Sequence, residues 1–82
     1  MYLVISYWEG ETDVPMAWIK ESEGEARDLL ARMWKKSNDA AMQDENYCGS
    51  RSYCQEDTAV VAWTDGLLRH FDIIRPETEE CL

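Results

Sequence analysis

Ser22-Glu23-Gly24-Glu25-Ala26-Arg27-Asp28-Leu29-Leu30-Ala31-Arg32-Met33-Trp34-Lys35-Lys36 carries the clearest structural signal in the chain. Ser22 and Glu25 stand at capping-box spacing. The hydroxyl can take the Glu25 N–H while the carboxylate reaches back. Glu23 and Glu25 suit the positive end of a helix dipole. Ala26, Leu29, Leu30, Met33 and Trp34 then recur at a helical period and make one apolar stripe. Glu23 with Arg27, and Asp28 with Arg32, are i,i+4 pairs for the wet side. A helix of about four turns is expected, with Leu29 and Trp34 buried beneath it. Lys35 and Lys36 suit its C-terminal end. Ala40 and Ala41 extend the stripe past a weak point at Ser37-Asn38-Asp39. A Met-and-Trp stripe of this kind is ordinarily core.

On the N-terminal side the chain alternates. Tyr2 to Trp8 is rich in β-branched and aromatic residues and reads as a strand. Leu3, Ile5 and Tyr7 share one face; Tyr2, Val4, Ser6 and Trp8 share the other. Glu9 to Asp13 has turn composition, and Val14 to Lys20 reads as an antiparallel return, started or held to an edge by Pro15. On the C-terminal side, Asp44 to Asp57 is polar and reads as a long loop, with Tyr47 and Tyr53 available to pin it or to meet a partner. Thr58 to Pro76 reads as a hairpin around Asp65-Gly66. A two-residue loop puts Val60 and Ala62 with Phe71 and Ile73. A three-residue loop, with Gly66 left-handed, puts Val61, Trp63, Leu67, Phe71 and Ile73 on one face. The second register gathers the larger apolar set and is preferred, because burial decides one-residue slips.

The expected fold is therefore one small α+β domain, 1–82, in the order ββαββ: one amphipathic helix on a four-stranded, mostly antiparallel sheet, with residues 76–82 a frayed acidic tail. The helix face is expected to take Leu3, Ile5, Tyr7 and the Trp63/Phe71 set. The other face would then carry Tyr2, Val4, Trp8, Met16 and Trp18 with nothing to cover them.

Composition narrows the function classes. Seventeen Asp and Glu stand against eight Lys and Arg, a formal net charge of −9 in 82 residues. Such a field repels nucleic-acid phosphates and anionic membrane and attracts basic protein surfaces. The acid is uneven: −5 over Met1 to Glu25, +2 over Ala26 to Gln43, −3 over Asp44 to Asp57, zero over Thr58 to Pro76, and −3 over the tail. At 45 % hydrophobic the chain has enough apolar material to fold. It has no long apolar run, and Met1 to Ile5 lacks the basic start of a signal peptide. Cys48, Cys54 and Cys81 are odd in number, which points to reduced thiols in a cytoplasm. Their spacing, even with His70 added, matches no recurring zinc site, so no metal and no cofactor is expected.

Catalytic signatures are missing. The single histidine, His70, falls in an expected strand, the four glycines are scattered, and no nucleophile stands at useful spacing to a base. The Arg27-Arg32-Lys35-Lys36 patch is too small and too acid-flanked for a nucleic-acid footprint. The expectation is a non-enzymatic protein-binding domain that occupies a basic, nucleic-acid-binding surface of its partner. In size, charge and lack of catalytic groups it is similar in class to small phage-encoded inhibitors, the antirestriction and anti-CRISPR proteins; no motif carries that analogy. The expected partner-binding residues are Tyr2, Trp8, Glu9, Glu11, Asp13 and Trp18, aromatic anchors with an acidic rim. Two other readings stand beside it. One is a structural or regulatory subunit, a homodimer included, whose acid serves solubility. The other is a thiol-based redox or metal sensor.

Overall fold

A computed structural model describes residues 1–10 and 16–75; Glu11, Asp13, Pro15, Cys81 and the rest of the segment 76–82 lie outside the described residues. The elements run β1 (Tyr2–Trp8), β2 (Met16–Lys20), α1 (Glu23–Ala41), a 3-10 turn (Gly49–Arg51), β3 (Tyr53–Cys54), β4 (Thr58–Ala62) and β5 (Leu68–Ile74). They form a five-stranded sheet in the order β2-β1-β5-β4-β3, antiparallel throughout. The α+β class holds, but the expected four strands and ββαββ order do not. The extra strand, β3, comes from the stretch read as a loop.

That stretch is tied down by backbone hydrogen bonds along β4. The Cys48 N–H donates to the Ala62 carbonyl at 2.9 Å, and the Thr64 N–H to the Asn46 carbonyl at 2.7 Å. Ser52 Oγ accepts from the Ala62 N–H at 2.9 Å and donates to the Cys48 carbonyl at 2.8 Å. Tyr53 and Cys54 then pair with Val60 and Ala59. Polar composition marked this segment as a loop, yet its backbone covers what would otherwise be an open sheet edge.

Helix α1 starts as expected. The Glu25 N–H donates to Ser22 Oγ at 3.1 Å, and the Ser22 hydroxyl donates to Glu25 Oε1 at 3.2 Å. It runs for 19 residues, about five turns, straight through the expected weak point. Asn38 is the reason. It is buried, its Oδ1 accepts the Tyr47 hydroxyl, and its amide lies on Met42 Sδ at 3.6 Å. A tertiary contact thus satisfies a polar side chain whose own propensity is against helix. Lys35 and Lys36 consequently lie well before the C-terminus. The expected burial is off by one residue: Leu30 is fully buried, whereas Leu29 and Trp34 are partly buried at its flanks, Trp34 donating from Nε1 to the Val60 carbonyl at 2.9 Å. Ser22→Ala should cost about 1 kcal/mol and lower the melting midpoint by roughly 4–8 °C. An unchanged midpoint would mean that the Ser22 hydroxyl contributes nothing to the cap.

The β4–β5 hairpin takes the larger-loop register. The Trp63 N–H donates to the Leu67 carbonyl at 3.0 Å, the Gly66 N–H to the Trp63 carbonyl at 3.2 Å, and Gly66 has φ +92°. The three-residue loop is closed by Gly66 at positive φ, a conformation that glycine adopts without strain. Val61, Trp63 and Phe71 therefore enter the core, joined by Val4, Ala26, Leu30, Ala41 and Ala59.

Strand β1 has the opposite phase to the expected one. Val4 is 0 % exposed and Ser6 is buried, while Leu3, Ile5 and Tyr7 lie on the face without a helix. The register explains it. Ser6 sits opposite Phe71 and Val4 opposite Ile73, and cross-strand partners share a face. Once Phe71 is inside, the even-numbered residues of β1 follow.

Candidate interaction surface

Every tryptophan belongs to the helix side of the sheet. Trp8 packs on Trp63 with ring centroids 5.4 Å apart, and Trp18 lies opposite Val4. The expected arrangement, with Tyr2, Val4, Trp8, Met16 and Trp18 on an uncovered face, is thus reversed. Both Trp8 and Trp18 remain partly exposed, because α1 leaves a cleft toward β2 and the upper end of β1. Two adjoining hollows meet there, of about 280 and 360 Å³, sharing Ser37, Ala40 and Arg69. Trp8 and Trp63 line the first and Trp18, Met33 and Phe71 the second.

Arg69 sits at the junction. Its guanidinium lies 5.2 Å from the Trp8 ring centroid and 5.3 Å from that of Phe71, and its Nε donates to Ser6 Oγ at 3.1 Å. Sequence reasoning passed over Arg69, although the preferred hairpin register leaves a visible signal. It places an arginine on the inward face between Leu67 and Phe71, and a charge there calls for a specific reason.

The face without a helix carries a polar chain flanked by aliphatic groups. Glu9 Oε1 is 3.1 Å from His70 Nε2, and Tyr7 stacks on His70 at 4.9 Å. The Tyr7 hydroxyl donates to Asp72 Oδ2 at 3.0 Å and the Thr58 hydroxyl to Asp72 Oδ1 at 2.6 Å. Partial burial, then the hydrogen bond and negative charge of Asp72, hold the Tyr7 phenol above its ordinary range. A raised folded pKa favours the neutral phenol. Its stabilising share is complete below the unfolded value, about pH 10, and disappears as pH rises through the folded one. Tyr7→Phe should therefore flatten the alkaline limb of the stability–pH curve. A limb unchanged by the mutation would assign it to other groups.

The expected site residues separate. Trp8 and Trp18 share the cleft side. Glu9 turns to His70 on the other face. Tyr2, six residues along β1 from Trp8 and thus roughly 20 Å away, lies beneath the Arg75 guanidinium at 5.7 Å. Glu11 and Asp13 lie outside the described residues. Charges at the start of α1 are knitted together: Arg27 pairs with Glu23, Glu56 and Asp57, and Arg75 with Glu23 and Asp57. Arg32 pairs with Asp28 and Lys35 with Asp39. Asp57, then Glu23, hold the Arg75 guanidinium even more firmly in its charged form.

Cys48 and Cys54 are free thiols. A hydrogen bond with Ser50 lowers the Cys48 pKa, and burial raises that of Cys54. Among the described residues no three His, Cys, Asp or Glu side chains group as metal ligands, and no helix is long and apolar enough to cross a membrane. Compared with protein-family models, with curated proteins and with solved structures, the chain matches none.

Proposed function

We propose that this chain is a non-enzymatic, acidic protein-binding domain that occupies a basic, nucleic-acid-binding surface of a partner protein. The internal pairing of four of its eight Lys and Arg residues carries the reading. Arg27, Arg32, Lys35 and Arg75 are bound to carboxylates of the same chain. Of the four cations on α1 only Lys36 has no carboxylate partner among the described residues, so the basic footprint of the helix is small beside the surplus of acid behind the −9 charge. Such a surface attracts cationic patches by long-range steering and competes with phosphate for them. Trp8 and Trp18 at the cleft are the proposed partner-binding anchors; Glu9, although it pairs with His70 on the opposite face, is proposed with Glu11 and Asp13 as the acidic rim, and Tyr2, at the far end of β1, as an outlying contact.

The test is capture of partners on the immobilised protein, challenged separately with salt and with duplex DNA. Partners with basic surfaces should be released by both, and Glu9→Lys with Glu11→Lys should slow their association and flatten its salt dependence. Retention of the same partners in high salt and excess DNA would defeat the reading. The exposed aliphatic residues of the helix-free face, Ile19 at 63 % and Ile74 at 43 %, favour one alternative, a homodimeric structural subunit. A solution mass of two chains, insensitive to salt, would put that reading first.

A further inference from the structure

The hollow beside Trp18 is chemically unlike the rest of this acidic surface. Its apolar walls are Trp18, Met33 and Phe71, and the charged residues among its described lining, Lys36 and Arg69, are both cations. Asp44 lines the neighbouring hollow beside Trp8. The four cations tied to carboxylates of this chain do not include these two: among the described residues neither Lys36 nor Arg69 has an acidic partner. Arg69 is also fixed in place. The Trp8 and Phe71 rings hold its guanidinium by their faces, and the buried Ser6 takes its Nε–H. Its two terminal nitrogens make no hydrogen bond among the described residues. Arg69 lines both hollows, so its guanidinium borders the open cleft.

From this we infer that the hollow is a binding site for a carboxylate carried on an aromatic or branched apolar body. A planar guanidinium whose terminal nitrogens have no partner among the described residues matches a carboxylate by paired hydrogen bonds. Desolvation by the aromatic walls strengthens that pairing, and Lys36 adds a second positive charge. A monoanion suits the site better than a phosphate dianion, because the chain's net negative field acts against each further charge. The apolar body replaces water against Trp18, Met33 and Phe71 in about 360 Å³, a small-molecule volume. The inference is independent of the charge-driven reading above, since a ligand here meets the cations rather than the acid.

The experiment titrates the full chain with indole-3-acetate, its neutral amide indole-3-acetamide, and acetate, following the Arg69 Nε–H resonance and backbone amides by NMR. The acid should bind saturably and shift the Arg69 resonance. The amide should bind at least about tenfold more weakly, the loss expected for a charge-assisted hydrogen bond, and acetate more weakly still. Arg69→Gln should abolish the preference for acid over amide, Trp18→Ala should weaken both, and Arg32→Gln, outside the cleft, should change neither. If Arg69→Gln proves unfolded, Lys36→Gln at an exposed helix position takes its place and should reduce the preference for the acid a few-fold. Equal affinity for acid and amide, or no saturable shift by about 10 mM acid, would overturn the inference.

Discussion

Leu30→Ala is expected to lower the unfolding free energy by about 2–5 kcal/mol, and Leu29→Ala by clearly less. The two residues are neighbours on α1 and chemically identical, so their difference isolates burial. Leu30 is 0 % exposed inside the cluster formed with Val4, Val61 and Phe71, whereas Leu29 lies partly buried at its border. Removing the Leu30 side chain loses its transfer energy and leaves a cavity that the flanking sheet closes only in part. A small domain has roughly 5–15 kcal/mol in total, so the Leu30 variant sits close to the unfolding threshold. Chemical denaturation of both variants measures the difference as a shift in midpoint at constant slope. Equal midpoints would show that α1 is rotated from the orientation described.

An even larger effect is expected at the adjacent strand. Val4→Lys should abolish cooperative unfolding, while Leu3→Lys should leave a folded protein. Val4 is 0 % exposed and lies between Trp18 and Ile73, so an ammonium there would have neither water nor a carboxylate. Leu3 lies between Ile19 and Ile74 on the helix-free face. A lysine at that position can run its aliphatic stem along those side chains and keep its charge in solvent. The pair of substitutions reads the phase of β1 directly, by circular dichroism and thermal melting. A folded Val4→Lys beside an unfolded Leu3→Lys would reverse the two faces of the sheet.

Those two faces were also where sequence reasoning met its limit. Alternation in Tyr2 to Trp8 shows that two faces exist, and both contain large apolar residues. Leu3, Ile5 and Tyr7 make the more evidently hydrophobic set, yet the chain buries the set containing Ser6. The small Ser6 accommodates Phe71 opposite and takes the Arg69 N–H, while Tyr7 outside gains Asp72 and His70 as partners. None of these pairings is local: Tyr7 and Asp72 are 65 residues apart.

The candidate site followed from the same pairing. Trp8 and Trp18 were legible as large aromatics on one face of the β1–β2 hairpin, and they do share a face. The face is the cleft beneath α1, however, and its organising residue, Arg69, comes from β5. Glu9 was read as rim charge for a partner, and its engagement with His70, 61 residues away, was not legible.

The sequence by itself determined the elements whose causes are local. Ser22 and Glu25 set the start of α1 through a bond between residues three apart. Thr64-Asp65-Gly66 set the hairpin loop and, through it, the inward placement of Val61, Trp63 and Phe71. Composition set the net acidity. Only the tertiary structure decided which face of β1 is buried, how far α1 continues past Ser37-Asn38-Asp39, and that Tyr53 and Cys54 pair with β4. Each of those outcomes depends on contacts such as Tyr47 with Asn38 or Ser6 with Phe71, whose strength appears only after the chain has closed long loops to form them.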